Sequence, residues 1–268
     1  MTMPWPEKVL LVGCGNMGGA MLAGWLAGGL DASRFVVFDP KLEAAPDGVG
    51  LLRALPEDDY DAILLGVKPQ MLDDLAPQIE PLARAGTTVF SILAGVELAT
   101  LAARFPQARA YVRVMPNLAA RIGKSPIALA ESGLDETARD AAIAFMRPLG
   151  TPEWVPEDTF DLVTALAGSG PAFVYRFIDA LSGAAAYLGL EEAQAERLAQ
   201  AMVEGAAALA MASEHAPGEL ANRVASPGGV TREGLDVLDA NGALATLVRQ
   251  TLRAARDRSA GMAREARG

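Results

Sequence analysis

Val9-Leu10-Leu11-Val12-Gly13-Cys14-Gly15-Asn16-Met17-Gly18 decides the architecture of this chain. Four apolar residues in a row suit a strand buried on both faces. The glycine-x-glycine-x-x-glycine run that follows opens a segment with helical spacing, and strand, glycine turn and helix in that order form a dinucleotide-binding turn. Gly13 makes the tight turn, Gly15 lets the backbone approach a pyrophosphate, and Gly18 lets the helix pack on the strand. The first N–H groups of the helix favour a negative charge beside them. The residues expected to touch the cofactor here are Val12, Gly13, Cys14, Gly15, Asn16 and Met17.

Outward from this turn the same alternation continues. Phe35–Phe38, Ala62–Val67, Thr88–Ile92 and Tyr111–Val114 read as further buried parallel strands, with Ile127–Ala130 and Glu153–Val155 as additional ones. Helices are expected near 16–29, 70–84, 97–105 and 135–147. Strand–helix alternation predicts an α/β fold, a Rossmann-like doubly wound sheet. Asp39 ends the second strand about 20 residues beyond Gly18, where an acid binds a ribose 2′-OH and repels a 2′-phosphate. That favours NADH, although Lys41 or Arg34 can offset it and Asp-Pro also starts ordinary turns.

After Pro156 the pattern changes. Phe173, Phe177, Ala180, Leu181, Ala184 and Leu188 follow helical spacing. So do Leu198, Met202, Gly205 and Leu209, and then Leu244, Leu247, Val248 and Leu252. The expected division is a dinucleotide-binding domain at 1–156 and an all-α substrate-binding and dimerisation domain at 157–268. The apolar stripes read as core. Small residues such as Gly183, Ala184 and Ala206 permit close helix packing and an interdigitated homodimer, or a higher oligomer.

Composition excludes several classes. The 268 residues are 51% hydrophobic and 21% charged, as in a globular chain, with a formal net charge of −10. Nucleic acid and anionic membrane both call for a basic face, so neither is an expected partner. Cys14 is the single cysteine, which rules out an internal disulfide framework and suits a reducing cytoplasm. No signal peptide is visible ahead of Lys8, and no apolar run nears the roughly 20 residues of a membrane span. With His215 the single histidine, no His/Cys zinc site is expected.

Two loops should reach the crevice at the strand ends, where open α/β sheets bind ligands. They are Gly66-Val67-Lys68-Pro69-Gln70 and Val114-Met115-Pro116-Asn117, and each is equally an ordinary strand-to-helix turn with Asn117 as a cap. In the helical half, Ala225-Ser226-Pro227-Gly228-Gly229-Val230-Thr231-Arg232-Glu233-Gly234 stands out as polar and glycine-rich. Such a turn can aim backbone N–H groups at one anion, with the Thr231 hydroxyl beside it. The plainer reading is a helix linker with Thr231 as N-cap.

Together these motifs resemble the pyrroline-5-carboxylate reductase family. The resemblance runs from about residue 8 to 260 through Gly13–Gly18, Val67-Lys68-Pro69, Met115-Pro116-Asn117, Gly168-Ser169-Gly170-Pro171-Ala172 and Ser226-Pro227-Gly228-Gly229-Val230-Thr231. It implies NADPH- or NADH-dependent reduction of a cyclic imino acid to proline. It also implies an active site between one subunit's nucleotide domain and helices of the dimer. By position, Thr231 would bond the ring nitrogen as the catalytic residue. Ser226, Gly228, Gly229 and Thr231 would hold the carboxylate, and Glu214 falls where family members often carry an acid. Gly66, Val67, Lys68 and Pro69, with Ile92, Leu93 and Ala94 and then Asn117, would complete the cofactor site beside Asp39. Leu118 departs from the family's usual Thr, and Asp39 from its usual small hydroxyl or Arg. Related two-domain hydroxyacid dehydrogenases use a lysine on the first long helix as acid/base. Here the lysines are Lys8, Lys41, Lys68 and Lys124, all outside the helical half, which favours imine reduction over alcohol oxidation. Reduction of another cyclic imino acid, or non-catalytic dinucleotide binding, are the alternatives.

Overall fold

The structure is a computed structural model and describes residues 5–55 and 58–267. The outer ends of the two expected domains, 1–4 and 268, lie outside the described residues. The chain forms two compact units, Met1–Ser169 with Ala254–Gly268, and Gly170–Arg253.

The first unit is built on one sheet of β1 (Val9–Val12), β2 (Phe35–Phe38), β3 (Gly50–Leu52), β4 (Ala62–Leu65), β5 (Thr88–Ser91), β6 (Ala110–Met115), β7 (Ser125–Ser132) and β8 (Gly150–Trp154). Their order is β3-β2-β1-β4-β5-β6-β7-β8. The first six run parallel, β7 is antiparallel to β6, and β8 is parallel to β7. This is the doubly wound sheet the alternation predicts, with the strand order reversing at β1 and β4. The edge strand β3 is absent from the sequence reading because three residues after a Pro/Asp/Gly turn carry too little periodicity. The fourth strand ends at Leu65, where Gly66 turns the chain, and not at Val67.

Helices α1 (Asn16–Ala27), α2 (Leu72–Ile79), α3 (Leu98–Arg104), α4 (Glu136–Met146) and the single turn α5 (Phe160–Val163) cover the sheet. The expected helix at 70–84 is broken into an α segment flanked by 3-10 turns at 69–71 and 80–82, each with a proline at its start. One face of the sheet packs Leu10, Ile63, Ile79, Val89 and Leu101. The other packs Leu11, Trp25, Phe35, Phe90 and Phe145. Trp25 lies between Phe35 at 5.4 Å and Phe145 at 4.6 Å, and its indole N–H donates to the Phe145 carbonyl at 2.8 Å. A Cβ at Gly24 would stand 2.1 Å from the Ala120 carbonyl oxygen, so α1 presses directly on the turn that follows β6.

The second unit holds α6 (Gly170–Tyr187), α7 (Glu192–Ala212), α8 (Pro217–Arg223), α9 (Val230–Asp239) and the start of α10 (Ala243–Arg267). α6 and α7 form a hairpin closed at Gly189, whose φ of +116 a glycine takes without strain. Its interior differs from expectation. Among the described residues of this unit, Ala195 and Ala199 alone are buried. The stripes read as core are at the surface of the single chain: Phe177 is 45% exposed, Leu188 83%, Leu209 62% and Leu247 62%. A 3.6-residue apolar period shows that one face of a helix needs covering, but not which chain covers it. No helix among the described residues is long and apolar enough to cross a membrane.

Candidate active site

Gly13 takes φ +88, and its N–H donates to the Phe38 carbonyl at 2.9 Å. A Cβ at Gly18 would lie 2.7 Å from the Gly13 carbonyl oxygen, so α1 reaches its contact with the turn only through glycine. A Cβ at Gly15 would meet nothing within 4 Å. Gly15 is the N-cap of α1 and offers no side-chain acceptor, and no acid stands in the first turn. The helix therefore opens with unsatisfied N–H groups toward free space, the environment a pyrophosphate needs. The residues present fit a dinucleotide.

Asp39 is tied to this turn. One carboxylate oxygen accepts the Cys14 N–H at 2.9 Å and the other accepts the Lys41 N–H at 2.9 Å. Each oxygen keeps a second lone pair for an outside donor. Arg53 donates to the carbonyls of Asp39 at 2.9 Å and Glu43 at 3.2 Å, stapling the turn that carries the acid. Nothing in the periodicity marks Arg53 for this role. Cys14 is half-buried, and burial followed by the Asp39 charge pushes its thiol pKa up.

The remaining cofactor candidates sit at the C-terminal strand ends of the same sheet. Gly66 donates its N–H to the Val12 carbonyl at 2.8 Å, and a Cβ there would strike the Gly13 carbonyl at 2.8 Å. Val67 and Pro69 are half-buried, and Lys68 is exposed. Ile92 and Ala94 are half-buried, whereas the Leu93 side chain packs into the core, as does that of Val12. Asn117 is buried and its side chain is engaged within the fold. Its carbonyl oxygen accepts the Ala119 N–H at 2.9 Å and its amide donates to the Ala167 carbonyl at 2.9 Å, while its backbone N–H donates to Ser125 Oγ at 2.9 Å. The Ala167 carbonyl belongs to a π-helical turn over Thr164–Gly168. One hydrogen bond thus joins the Met-Pro-Asn loop to the π-helical turn Thr164–Gly168, a link invisible in sequence because it spans 50 residues.

In the helical unit, Ser226, Gly228, Gly229 and Thr231 form one turn at the start of α9. Gly228 takes φ +67, and the Gly229 N–H donates to the Ser226 carbonyl at 2.9 Å. A Cβ at Gly229 would lie 2.5 Å from Ser226 Oγ, so glycine lets that hydroxyl fold over the helix end. The N-cap is Gly229, not Thr231, and no side chain caps it. Thr231 therefore stands in the first turn with an exposed hydroxyl, beside N–H groups that no side chain serves. Arg232 turns away to Asp236 at 2.8 Å. Glu214 is exposed between α7 and α8. His215 pairs with Glu219 at 3.1 Å, in keeping with a surface role. No group of three His, Cys, Asp or Glu side chains suited to a metal occurs among the described residues.

Comparison with known proteins places these features. A family model described as pyrroline-5-carboxylate reductase dimerisation matches residues 157–262, and one described as NADP oxidoreductase, coenzyme F420-dependent, matches residues 8–95. The pyrroline-5-carboxylate reductase of Methanosarcina acetivorans is 33% identical over 92% of this chain and 95% of its own. That of Pseudomonas aeruginosa is 33% identical over 96% of this chain and 97% of its own. The solved pyrroline-5-carboxylate reductase of Coxiella burnetii superposes with a TM-score of 0.87 at 29% identity, covering 96% of this chain and 98% of that one. Glycine turn, doubly wound sheet, helical unit and near-full-length similarity agree: the chain belongs to the pyrroline-5-carboxylate reductase family of oxidoreductases.

Proposed function

We propose that the chain reduces 1-pyrroline-5-carboxylate to L-proline, the last step of proline biosynthesis, with NADPH or NADH as hydride donor. The observation that carries this reading is the presence of two helix N-termini, α1 and α9, each opened by a glycine N-cap without a side-chain acceptor. The first suits a pyrophosphate and the second a small carboxylate. Residues 1–156 hold the dinucleotide, and residues 157–268 hold the imino acid and dimerise.

The nicotinamide supplies the hydride when bound. The chain's own residues bind and orient. Ser226 and the backbone at Gly228, Gly229 and Thr231 hold the substrate carboxylate, and the Thr231 hydroxyl bonds the ring nitrogen. A protonated imine carbon is already electrophilic, so no strong acid is needed from Thr231. Its contribution is orientation, and bringing reacting atoms to within about 3–3.5 Å removes much of the entropic barrier. Glu214 supplies a negative charge near the iminium. Gly13–Met17, Asp39, Gly66–Pro69, Ile92–Ala94 and Asn117 surround the dinucleotide.

The exposed apolar faces of α6, α7 and α10 support a homodimer. Phe177, Leu198, Leu209 and Leu247 are exposed in the single chain, as an interface awaiting a second copy would be. A reducing cytoplasm fits the single Cys14. Oxidation of NADH or NADPH in the presence of 1-pyrroline-5-carboxylate, beside its six-membered analogue, tests the reading. Turnover with the five-membered ring at the higher kcat/KM is expected. Turnover with neither imine would overturn it.

A further inference from the structure

The loop from Ile92 to Glu97 joins β5 to α3 and carries three of the residues proposed to touch the dinucleotide. It is held from outside by groups that the reaction does not use. The first helical N–H, of Leu98, donates to Glu157 Oε1 at 2.7 Å, while the local N-cap Glu97 makes no side-chain cap. The same Glu157 oxygen accepts from Arg113 Nη1 at 3.1 Å. The Arg113 side chain, on β6, is 5% exposed and that of Glu157 is 35% exposed, with the guanidinium 4.1 Å from the Phe160 ring centroid. Arg113 Nε is buried with no hydrogen-bond partner. In the same loop, Gly95 takes φ +78 against the end of α10, where a Cβ would stand 2.9 Å from the Ala263 nitrogen. Ser259 of the same helix donates to Asp161 at 2.7 Å.

A buried arginine bonded on one nitrogen and orphaned on another is a poor device for stability. Desolvation of a buried ion pair commonly cancels its Coulombic gain, and well-packed apolar residues do as well or better. What the pair supplies is position: one carboxylate oxygen fixes the start of α3 relative to β6. Resting on the dinucleotide reading above, we propose that Arg113 and Glu157 are positioning residues that set the 92–97 loop for dinucleotide binding. They touch neither cofactor nor imine. They act through the Leu98 N–H, alongside the α10 contact at Gly95.

The test separates position from stability. In the full-length protein, Arg113→Met combined with Glu157→Leu should leave the thermal midpoint unchanged or raised. It should weaken NADH and NADPH binding about tenfold by fluorescence titration. The KM for the imine at saturating dinucleotide should stay within about twofold, since the 226–231 turn is untouched. Glu157→Gln keeps the shape and the acceptor but loses the charge, and should weaken dinucleotide binding by an intermediate factor. It decides the matter if the double variant fails to fold. Unchanged dinucleotide binding in a folded variant would overturn the proposal, as would a loss of affinity that merely tracks a lowered midpoint. Wild-type protein that binds neither dinucleotide would instead overturn the reading on which the proposal rests.

Discussion

The sheet unit and the helical unit solve the burial problem in opposite ways. The sheet unit closes on itself: both faces are covered, and Trp25, Phe35, Phe90 and Phe105 are fully buried within one chain. The helical unit of 170–253 leaves its largest apolar side chains open and buries Ala195 and Ala199 alone among its described residues. Each carries a glycine turn at a helix N-terminus, but the two turns differ in support. Gly13–Gly18 is locked by backbone packing from Gly66 and Phe38. The 226–231 turn is held by its own Ser226 and stands exposed. One unit is finished as a fold; the other awaits a partner.

The strongest way to sharpen this contrast is Gly15→Val. The side chain would fill the open space above α1 that a pyrophosphate needs. Binding of NADH and NADPH should be abolished by fluorescence titration, with circular dichroism and thermal midpoint near wild type. Retained binding would mean that the locked turn serves another purpose.

Thr231→Ala probes the exposed turn and should lower kcat/KM about 10- to 1000-fold, the range for one lost transition-state hydrogen bond. The dinucleotide Kd should hardly change. Turnover like wild type would remove Thr231 from the reaction.

Asp39→Ser should raise affinity for NADPH relative to NADH by about tenfold, since it removes a fixed carboxylate from the 2′-phosphate position. An unchanged ratio would show that the bonds to Cys14 and Lys41 exhaust its role.

Leu209→Arg addresses the contrast itself. Leu209 is 62% exposed in one chain, so a charge there costs a monomer little. A dimer that covers α7 should fall to half its mass by light scattering, with weakened activity. Undiminished mass would show that this face is not the interface.

The sheet unit was legible because its signals are local. Buried strands are short apolar runs, and the glycine motif names its own context of strand before and helix after. What escaped were long-range bonds: Asn117 to Ala167, Arg53 to the Asp39 turn, and Glu157 to the start of α3. None of these has a spacing that a pattern can register. The helical unit was legible as helices, but its burial was misread. Phe177 and Leu209 follow the period of a core face, and the chain alone gives that face no cover. The 226–231 turn was legible as a turn from Gly228 and Gly229. That Gly229, and not Thr231, caps α9 depends on two residues of helix register, the least determined feature of any helix end.

The central claim is that a dinucleotide held at Gly13–Met17 delivers hydride to the imine carbon, C5 of the product proline, of an imino acid held at Ser226–Thr231. The most direct measurement uses NADH or NADPH deuterated at nicotinamide C4, on each face in turn, with unlabelled 1-pyrroline-5-carboxylate. The account predicts proline carrying deuterium at C5 from one face only, and loss of that product in the Gly15→Val protein. Proline formed without deuterium from either face, or formed equally well by the Gly15→Val protein, would contradict it.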